Sequence, residues 1–105
     1  MTNLLAKIDM QVMQDNAAHA AELLKNLANE SRLQILCALA AAELSVGELN
    51  AGIPLSQSAL SQHLKRLRQD GLVSTRRESQ TIYYSLAHSD ALKIIEVLHE
   101  IYCEQ

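Results

Sequence analysis

The sequence predicts a mainly α-helical protein with one short β-hairpin. Apolar residues make up 49% of the 105 residues, but aromatic residues only 3%, all of them tyrosine. A core built from Leu, Ile, Val and Ala favours packed helices over a sandwich of strands. Apolar residues recur at helical spacing along most of the chain, and alternation with β-branched and tyrosine residues is confined to residues 73–86.

Two amphipathic helices are predicted before the midpoint of the chain. Residues 16–27 carry apolar side chains at helical spacing. These are Ala20, Leu23, Leu24 and Leu27. Asn29 is a plausible N-cap for a second helix over residues 30–42, because its side-chain oxygen can accept a hydrogen bond from a free backbone N–H.

The next segment predicts two helices joined by a tight turn. After a residue or two of extended chain at 44–45, Ser45 can cap a third helix over residues 46–51. Gly52 and Pro54 end that helix, and Ser56 caps a fourth that ends at Asp70. Gly71 then occupies the position where a Schellman motif needs glycine. This order is a helix-turn-helix.

The fourth helix has one buried face, predicted by Leu60, Leu64 and Leu67 at i, i+4 and i+7. The polar residues on the opposite face and its side are Ser58, Ser61, Gln62, Lys65 and Gln69. Residues 73–77 and 81–86 form the hairpin, and a fifth helix begins at Ser89. We therefore predict one domain over residues 1–105, a winged helix-turn-helix of five helices and a two-stranded wing. A protomer this small often completes its core by dimerising.

The charge distribution indicates a nucleic-acid partner despite a net charge of −3. Residues 56–86 hold five basic and two acidic side chains, a net charge of +3, and the remainder has a net charge of −6. Phosphate contacts supply most non-specific affinity for DNA, so a local basic face matters more than the total. A solvated helix face with a charged turn is the alternative interpretation. No membrane-spanning or signal segment is recognisable, and we expect a cytosolic protein without a membrane partner.

The candidate DNA-reading residues lie on the fourth helix and the wing. A recognition helix places its N-terminal residues nearest the base edges, and longer basic side chains further along reach phosphates. The base-edge candidates are Gln57, Ser58, Ser61 and Gln62, and the phosphate candidates are Lys65, Arg66 and Arg68. Arg76 and Arg77 precede the wing turn and could enter a minor groove. His63 sits at the edge of the leucine stripe, and we expect it to pack rather than to contact bases.

Several motifs together resemble those of the winged-helix repressors of the ArsR/SmtB family. They are ANESRLQILCAL, ELSVGEL, LSQSALSQHLKRLRQDGLV and RRESQTIYYSL, in that order. The resemblance covers nearly the whole chain. It implies a homodimer formed through the first and last helices, with the fourth helix of each protomer reading one half of an imperfect palindrome in double-stranded DNA.

The metal sites of the family are incomplete here. Many members hold metal through cysteines in a motif like ELCVCDL, where this chain has Ser45 and Gly47. The positions of a second family site would be His88, Asp90, Ile101 and Glu104. Isoleucine cannot ligate, and zinc needs four ligands, or three and a water. We expect no metal and no other cofactor, and a metal-responsive repressor with an incomplete zinc site remains an alternative.

Two cysteines remain as candidate sensor residues. Cys37 alone would be interpreted as a small buried core residue. Cys103 lies near the C-terminus, and its helical angle turns it towards its own protomer. The pair resembles the sensor of the sulfide- and persulfide-responsive branch of the family, the BigR, SqrR and HlyU group. Reactive sulfur species or an oxidant would then be the inducer, and an intraprotomer disulfide or polysulfide bridge would form.

The leading interpretation is thus a DNA-binding repressor switched by Cys37 and Cys103. An anti-repressor that displaces a nucleoid silencer is the main alternative, and the sequence leaves open which thiol attacks first. His99 is the candidate on the same helix as Cys103 for lowering a thiol pKa. We do not expect an enzyme, because no strand-helix scaffold for a catalytic thiol is visible. A pure protein-interaction module would leave the basic face of the fourth helix unexplained.

Overall fold

The computed structural model describes residues 9–87 and 90–103, and within them it confirms a mainly helical winged helix-turn-helix. The elements follow one another as α1 (Met10–Leu27), α2 (Glu30–Ala41), β1 (Leu44–Ser45), α3 (Val46–Gly52), α4 (Gln57–Gln69), β2 (Val73–Glu78), β3 (Thr81–Leu86) and α5 (Asp90–Tyr102). In this part of the chain, no helix is both long and apolar enough to cross a bilayer.

The ends of α4 form as the sequence predicts. The Ser56 Oγ accepts a hydrogen bond from the backbone N–H of Ala59 at 3.1 Å. At the other end Gly71 has a φ of +76°. The backbone N–H of Leu72 donates to the carbonyl of Leu67 at 2.9 Å, and that of Gly71 to Arg68 at 3.1 Å. This pair of bonds is the Schellman motif, and it fixes where the helix stops and the wing begins.

Helix α1 is longer than its predicted span of residues 16–27. It begins at Met10, because the Asp9 carboxylate accepts hydrogen bonds from the backbone N–H groups of Gln11 at 2.9 Å and Val12 at 3.3 Å. The added turns bury no side chain within the protomer. Apolar periodicity against the protomer's own core therefore could not have located this end of the helix.

The wing sheet has three strands, whereas the sequence predicted two. Strand β1 pairs antiparallel with β3, with Leu44 opposite Tyr84 and Ser45 opposite Tyr83. The extended residues at 44–45 were expected, but their pairing partner lies nearly forty positions away. The order of the sheet is β1-β3-β2. The wing is therefore attached by main-chain pairing to the segment that precedes α3.

The core is aliphatic, and all five helices and the sheet contribute side chains to it. Among the residues that the structure describes, six large side chains are almost completely buried: Ile35, Leu36, Leu49, Leu60, Leu64 and Leu67. Burial of each contributes about 1.5–3 kcal/mol relative to exposure to water. The predicted leucine stripe of α4 is confirmed, and Tyr84 packs against this core. The opposite face of α4 consequently faces solvent.

Apolar side chains remain exposed on the first and last helices. On α1 these are Met10, Val12, Met13 and Leu24, and on α5 they are Val97, Ile101 and Tyr102. Leu24 is 55% and Ile101 54% exposed in the protomer. Exposed apolar residues gathered on two helices mark an interaction surface rather than random exposure.

Candidate nucleic-acid interface and thiol cleft

The helix-turn-helix is fixed by hydrogen bonds at each joint. Ser45 and Glu48 form a capping box at the start of α3. The Ser45 Oγ accepts from the Glu48 N–H at 3.2 Å, and the Glu48 carboxylate accepts from the Ser45 N–H at 2.9 Å. In the turn after α3, the Asn50 side-chain amide donates to the Leu55 carbonyl at 2.7 Å. These bonds hold α4 at a defined angle to α3.

The predicted base-edge candidates share the solvent-facing side of α4. All of them are exposed: Gln57, Ser58, Ser61 and Gln62. Lys65 and Arg68 continue this surface towards the C-terminal end of the helix and are also exposed. Among the described residues, no carboxylate lies within ion-pair distance of either. His63 is half-buried at the edge of the leucine stripe.

Arg66 differs from the other basic residues of α4 because it is held by acidic side chains. Its Nε lies 3.0 Å from the Asp70 carboxylate, and another guanidinium nitrogen lies 3.9 Å from the Glu22 carboxylate of α1. The structure thus directs Arg66 towards the protein, whereas the sequence grouped it with Lys65 and Arg68. The contact between Arg66 and Glu22 joins residues 44 positions apart in the sequence, so no local sequence pattern predicts it.

The two wing arginines have different environments. Arg76 makes 2.8 Å ion pairs with Glu78 and Glu43, and its guanidinium lies 4.7 Å from the ring centre of Tyr83. The hydrogen bonds to Glu78 and then Glu43 raise the pKa of Arg76 above its ordinary value. Arg77 lies opposite Ile82 near the turn, is exposed, and has no ion pair with a described residue.

The wing turn consists of Ser79 and Gln80, between the paired residues Glu78 and Thr81. Ser79 has a φ of +57°, a left-handed conformation that non-glycine residues adopt uncommonly. The backbone reverses within two residues there. Arg77 consequently lies near the tip of the wing, at the position predicted for a minor-groove contact.

The two cysteines line one cleft between α2 and α5. The cleft has a volume of about 660 Å³, and both thiols are free and exposed to solvent. The alternative interpretation of Cys37 as a core residue is therefore wrong. Its helix turns Ile35, Leu36 and Leu39 inward and leaves Cys37 on the side facing α5. The prediction that Cys103 turns towards its own protomer agrees with this placement.

The pKa of Cys37 is raised above that of an ordinary thiol. Partial burial among apolar neighbours is the larger cause, and the negative charge of a Cys103 thiolate is the second. Although the sulfur has solvent access, its surroundings desolvate it enough to favour the neutral thiol. His99 also lines this cleft, and its carbonyl accepts the backbone N–H of Cys103 at 2.8 Å.

The residues at the positions of the family's metal sites either make other contacts or have no side chain that could bind a metal. Ser45 is engaged in the capping box, and Gly47 has no side chain to ligate. Of the second set, Asp90 pairs with Lys93 at 3.2 Å, Ile101 is exposed, and His88 and Glu104 lie outside the described residues. Among residues 9–87 and 90–103, no group of three or more His, Cys, Asp or Glu side chains could hold a metal ion.

The chain is similar to known bacterial regulators over almost its full length. Residues 29–75 match the model of the bacterial regulatory protein, arsR family. The transcriptional activator HlyU of Vibrio cholerae is 56% identical over 99 residues, which cover 94% of this chain and 92% of that protein. A structure of reduced HlyU from the same organism superposes with a TM-score of 0.83 at 58% identity, covering 89% of this chain and 98% of that one.

Two further solved structures extend the similarity. The transcriptional repressor BigR from Xylella fastidiosa has a TM-score of 0.84 and is 39% identical, covering 93% of this chain and all of that one. The homodimeric winged helix-turn-helix DNA-binding domain of a possible ArsR-family regulator from Mycobacterium bovis has a TM-score of 0.69 at 31% identity, covering 86% and 87% of the two chains. The chain therefore belongs to the arsR family of bacterial regulatory proteins, DNA-binding transcriptional regulators of winged helix-turn-helix fold.

Proposed function

We propose that this regulator is a homodimeric repressor whose affinity for its operator is lowered when Cys37 and Cys103 become bridged within one protomer. The observation that carries the proposal is the common cleft of about 660 Å³, which is lined by two free thiols, one on α2 and one directly after α5. Two thiols so placed can act as attacking and resolving groups. A permanent disulfide is disfavoured in a reducing compartment, so the pair fits a reversible switch.

The dimer would form through α1 and α5. Both helices expose apolar side chains that the protomer's own core does not cover, including Leu24 and Ile101. The Mycobacterium bovis domain of this family is a homodimer. A two-fold axis would place the two copies of α4 about one helical turn of DNA apart, or a multiple of it, matching an imperfect palindrome.

Operator reading would rest on the exposed face of α4 and on the wing tip. Glutamine can bond adenine through two hydrogen bonds, and serine can serve a base or a phosphate. Gln57, Ser58, Ser61 and Gln62 are the base-edge candidates, with Lys65, Arg68 and Arg77 as the cations best placed for phosphates or a minor groove. Arg66 and Arg76 would stabilise the reading surface through their ion pairs rather than bind DNA directly.

The chemistry balances for an oxidant such as a peroxide. One thiolate attacks the O–O bond and becomes a sulfenic acid, releasing water after protonation of the leaving oxygen. The second thiol then displaces the hydroxyl group as water, and the two cysteines are left as a disulfide. Because the pKa of Cys37 is raised, Cys37 is disfavoured as the attacking thiolate at neutral pH. We therefore assign it the resolving role.

Bridging would act on DNA binding through α2. The helix carries Cys37 and leads directly into Glu43 and β1, which contact the wing at Arg76 and at β3. A bridge that draws α2 towards α5 would therefore shift the wing and the adjoining α3. The thiol cleft and the reading surface are thus connected by a short stretch of chain, without a separate relay.

A gel-shift titration tests the proposal directly. The reduced protein is used to select a duplex from random sequence, and its affinity is then measured before and after peroxide or a polysulfide donor. We expect a mass change with loss of both free thiols and a loss of affinity of at least tenfold. Cys37→Ser and Cys103→Ser are the matched controls and should bind DNA but not respond. Unchanged affinity after complete bridging would refute the switch.

An activating role is the second candidate, because Vibrio cholerae HlyU is itself described as a transcriptional activator. A DNA-binding protein can activate by displacing a nucleoid silencer, with the same binding surface. Transcript levels after deletion of the gene distinguish the two: target transcripts rise if the protein represses and fall if it displaces a silencer.

A further inference from the structure

The thiol cleft is acidic and apolar rather than basic. Its apolar lining comes from both helices and includes Leu33, Leu92 and Leu98. Apart from the two thiols and Tyr102, the ionisable side chains that line it among the described residues are Glu96, His99 and Glu100. No lysine or arginine of the described chain lines the cleft. Both glutamates are exposed on α5.

The cations of the two flanking helices are engaged elsewhere. Arg32 is the basic residue of α2, and its guanidinium donates to the carbonyls of Asn26 at 3.0 Å and Lys25 at 3.3 Å at the end of α1. Lys93 is the basic residue of α5, and it pairs with Asp90 at 3.2 Å. Neither forms an ion pair with Glu96 or Glu100, so the two carboxylates give the lining of the cleft a negative charge.

We propose that this cleft selects uncharged polysulfides over anionic ones as the inducer. The inference rests on the proposed thiol switch and names the chemical class that it admits. A donor bearing carboxylates must enter a cleft that Glu96 and Glu100 line together with the two sulfurs, and like charges repel each other. An uncharged dialkyl polysulfide meets no such repulsion and can pack its carbon chains on the apolar lining.

The reaction with a dialkyl trisulfide, RSSSR, needs no further oxidant. One cysteine thiolate attacks an outer sulfur of the donor, forms a mixed disulfide Cys–S–S–R and releases the persulfide anion RSS⁻. The second cysteine then attacks the protein sulfur and releases RS⁻. The products are the Cys37–Cys103 disulfide, RSSH and RSH, so the two thiol protons pass to the leaving groups and the donor accepts two electrons.

Three trisulfides of matched size test the selectivity: bis(2-hydroxyethyl), bis(2-carboxyethyl) and bis(2-aminoethyl) trisulfide. Loss of thiols is followed by mass spectrometry, and each rate is divided by the rate of the same donor with a neutral cysteine amide. At about 10 mM salt we expect the neutral donor to be about tenfold faster than the dianion after this correction. At physiological salt the ratio should fall to about two- or threefold. The dication should react at least as fast as the neutral donor.

The double variant Glu96→Gln, Glu100→Gln assigns the effect to this cleft. It should lower the neutral-to-dianion ratio about threefold or more at low salt, because it removes both carboxylates while keeping the cysteines. Glu30→Gln, which removes one carboxylate of α2 that does not line the cleft, is the control and should leave the ratio unchanged. Equal corrected rates for the three donors would overturn the selectivity, as would a dication that reacts as slowly as the dianion. If the cysteines are still bridged and DNA is still released in that case, the proposed switch stands without the selectivity. If no trisulfide bridges the cysteines, the selectivity fails. The proposed switch fails as well only if peroxide also leaves both thiols unbridged.

Discussion

The reading head and the thiol cleft are built on opposite principles. We define the reading head as α3, α4 and the wing. The ends of its helices are fixed by a capping box, a hydrogen bond from a side-chain amide and a Schellman motif. The cleft between α2 and α5 has exposed thiols and an open apolar wall. DNA recognition needs side chains held in one geometry, whereas a chemical sensor needs accessible sulfur. In the proposed switch, one small chain meets both requirements by placing them in different parts of the fold.

The largest effect should come from breaking the packing of the reading head. Leu64→Ala removes a fully buried side chain of α4, and we expect the free energy of unfolding to fall by about 2–5 kcal/mol. Urea denaturation followed by circular dichroism measures it. Ser61→Ala, on the exposed face of the same helix, is the control and should change stability by less than about 0.5 kcal/mol. A loss below about 1 kcal/mol for Leu64→Ala would contradict the assigned core.

A smaller effect should separate the arginines of α4. Arg68→Ala is expected to weaken DNA binding evenly across sequences and to lower the slope of log affinity against log salt by about one. Arg66→Ala should change that slope less, because its guanidinium already neutralises Asp70 and Glu22. Fluorescence anisotropy at several salt concentrations measures both slopes. Equal changes in slope would show that the ion pairs open on DNA and that the two residues act alike.

In the cleft, the raised pKa of Cys37 should appear in its reactivity. Alkylation by iodoacetamide requires the thiolate, so in Cys103→Ser the rate at Cys37 should still rise at pH values where an ordinary thiol has reached its plateau. Burial is the larger cause of the shift and persists in this variant. If the pH midpoint of Cys37 alkylation were at or below that of a model thiol, the raised pKa would be contradicted.

The same pKa shift links folding stability to pH with a definite sign. The folded state holds the Cys37 proton more tightly than the unfolded chain does, so the stabilising contribution is complete below the ordinary thiol pKa. It is lost as the pH rises through the higher folded value. Cys37→Ser removes this dependence. The free energy of unfolding of the wild-type protein and of the variant, measured by denaturation at neutral and at alkaline pH, tests the prediction.

The smallest effect should come from the ion pair that joins the two regions. Glu43→Gln breaks the contact between the end of α2 and Arg76 on the wing. Exposed ion pairs contribute about 0–1 kcal/mol, so stability should hardly change. The loss of DNA affinity on bridging should shrink by a factor of about two, since β1 still connects α2 to the wing. Glu30→Gln, which removes another carboxylate of this region, is the control. Glu48→Gln is unsuitable as a control, because it would also break the capping box of α3. An unchanged response would place the whole connection in β1.

The two regions also differ in how far the sequence could predict them. The leucine stripe, the Ser56 cap and the glycine stop of α4 are local signals, and all three are confirmed. The third strand and the Glu22 and Glu43 contacts join residues far apart in the chain, and no periodicity encodes them. The start of α1 at Met10 was not predicted, because the added turns bury no side chain in the protomer. Cys37 lies in an apolar run, which cannot tell a buried side from a side that faces a cleft.

Ser45 belongs to two structures at once. Its backbone pairs with Tyr83 of the wing sheet, and its side chain caps the first helix of the helix-turn-helix. The wing sheet and α3 therefore share a residue and cannot rotate against each other without losing either the strand pairing or the cap. The bond from Asn50 to the Leu55 carbonyl holds the turn that leads from α3 into α4. The head is then expected to move as one rigid body, and the switch would act on the spacing between two heads on the same duplex. A single half-site on a short duplex should bind the reduced and bridged proteins equally well, whereas a full palindrome should distinguish them.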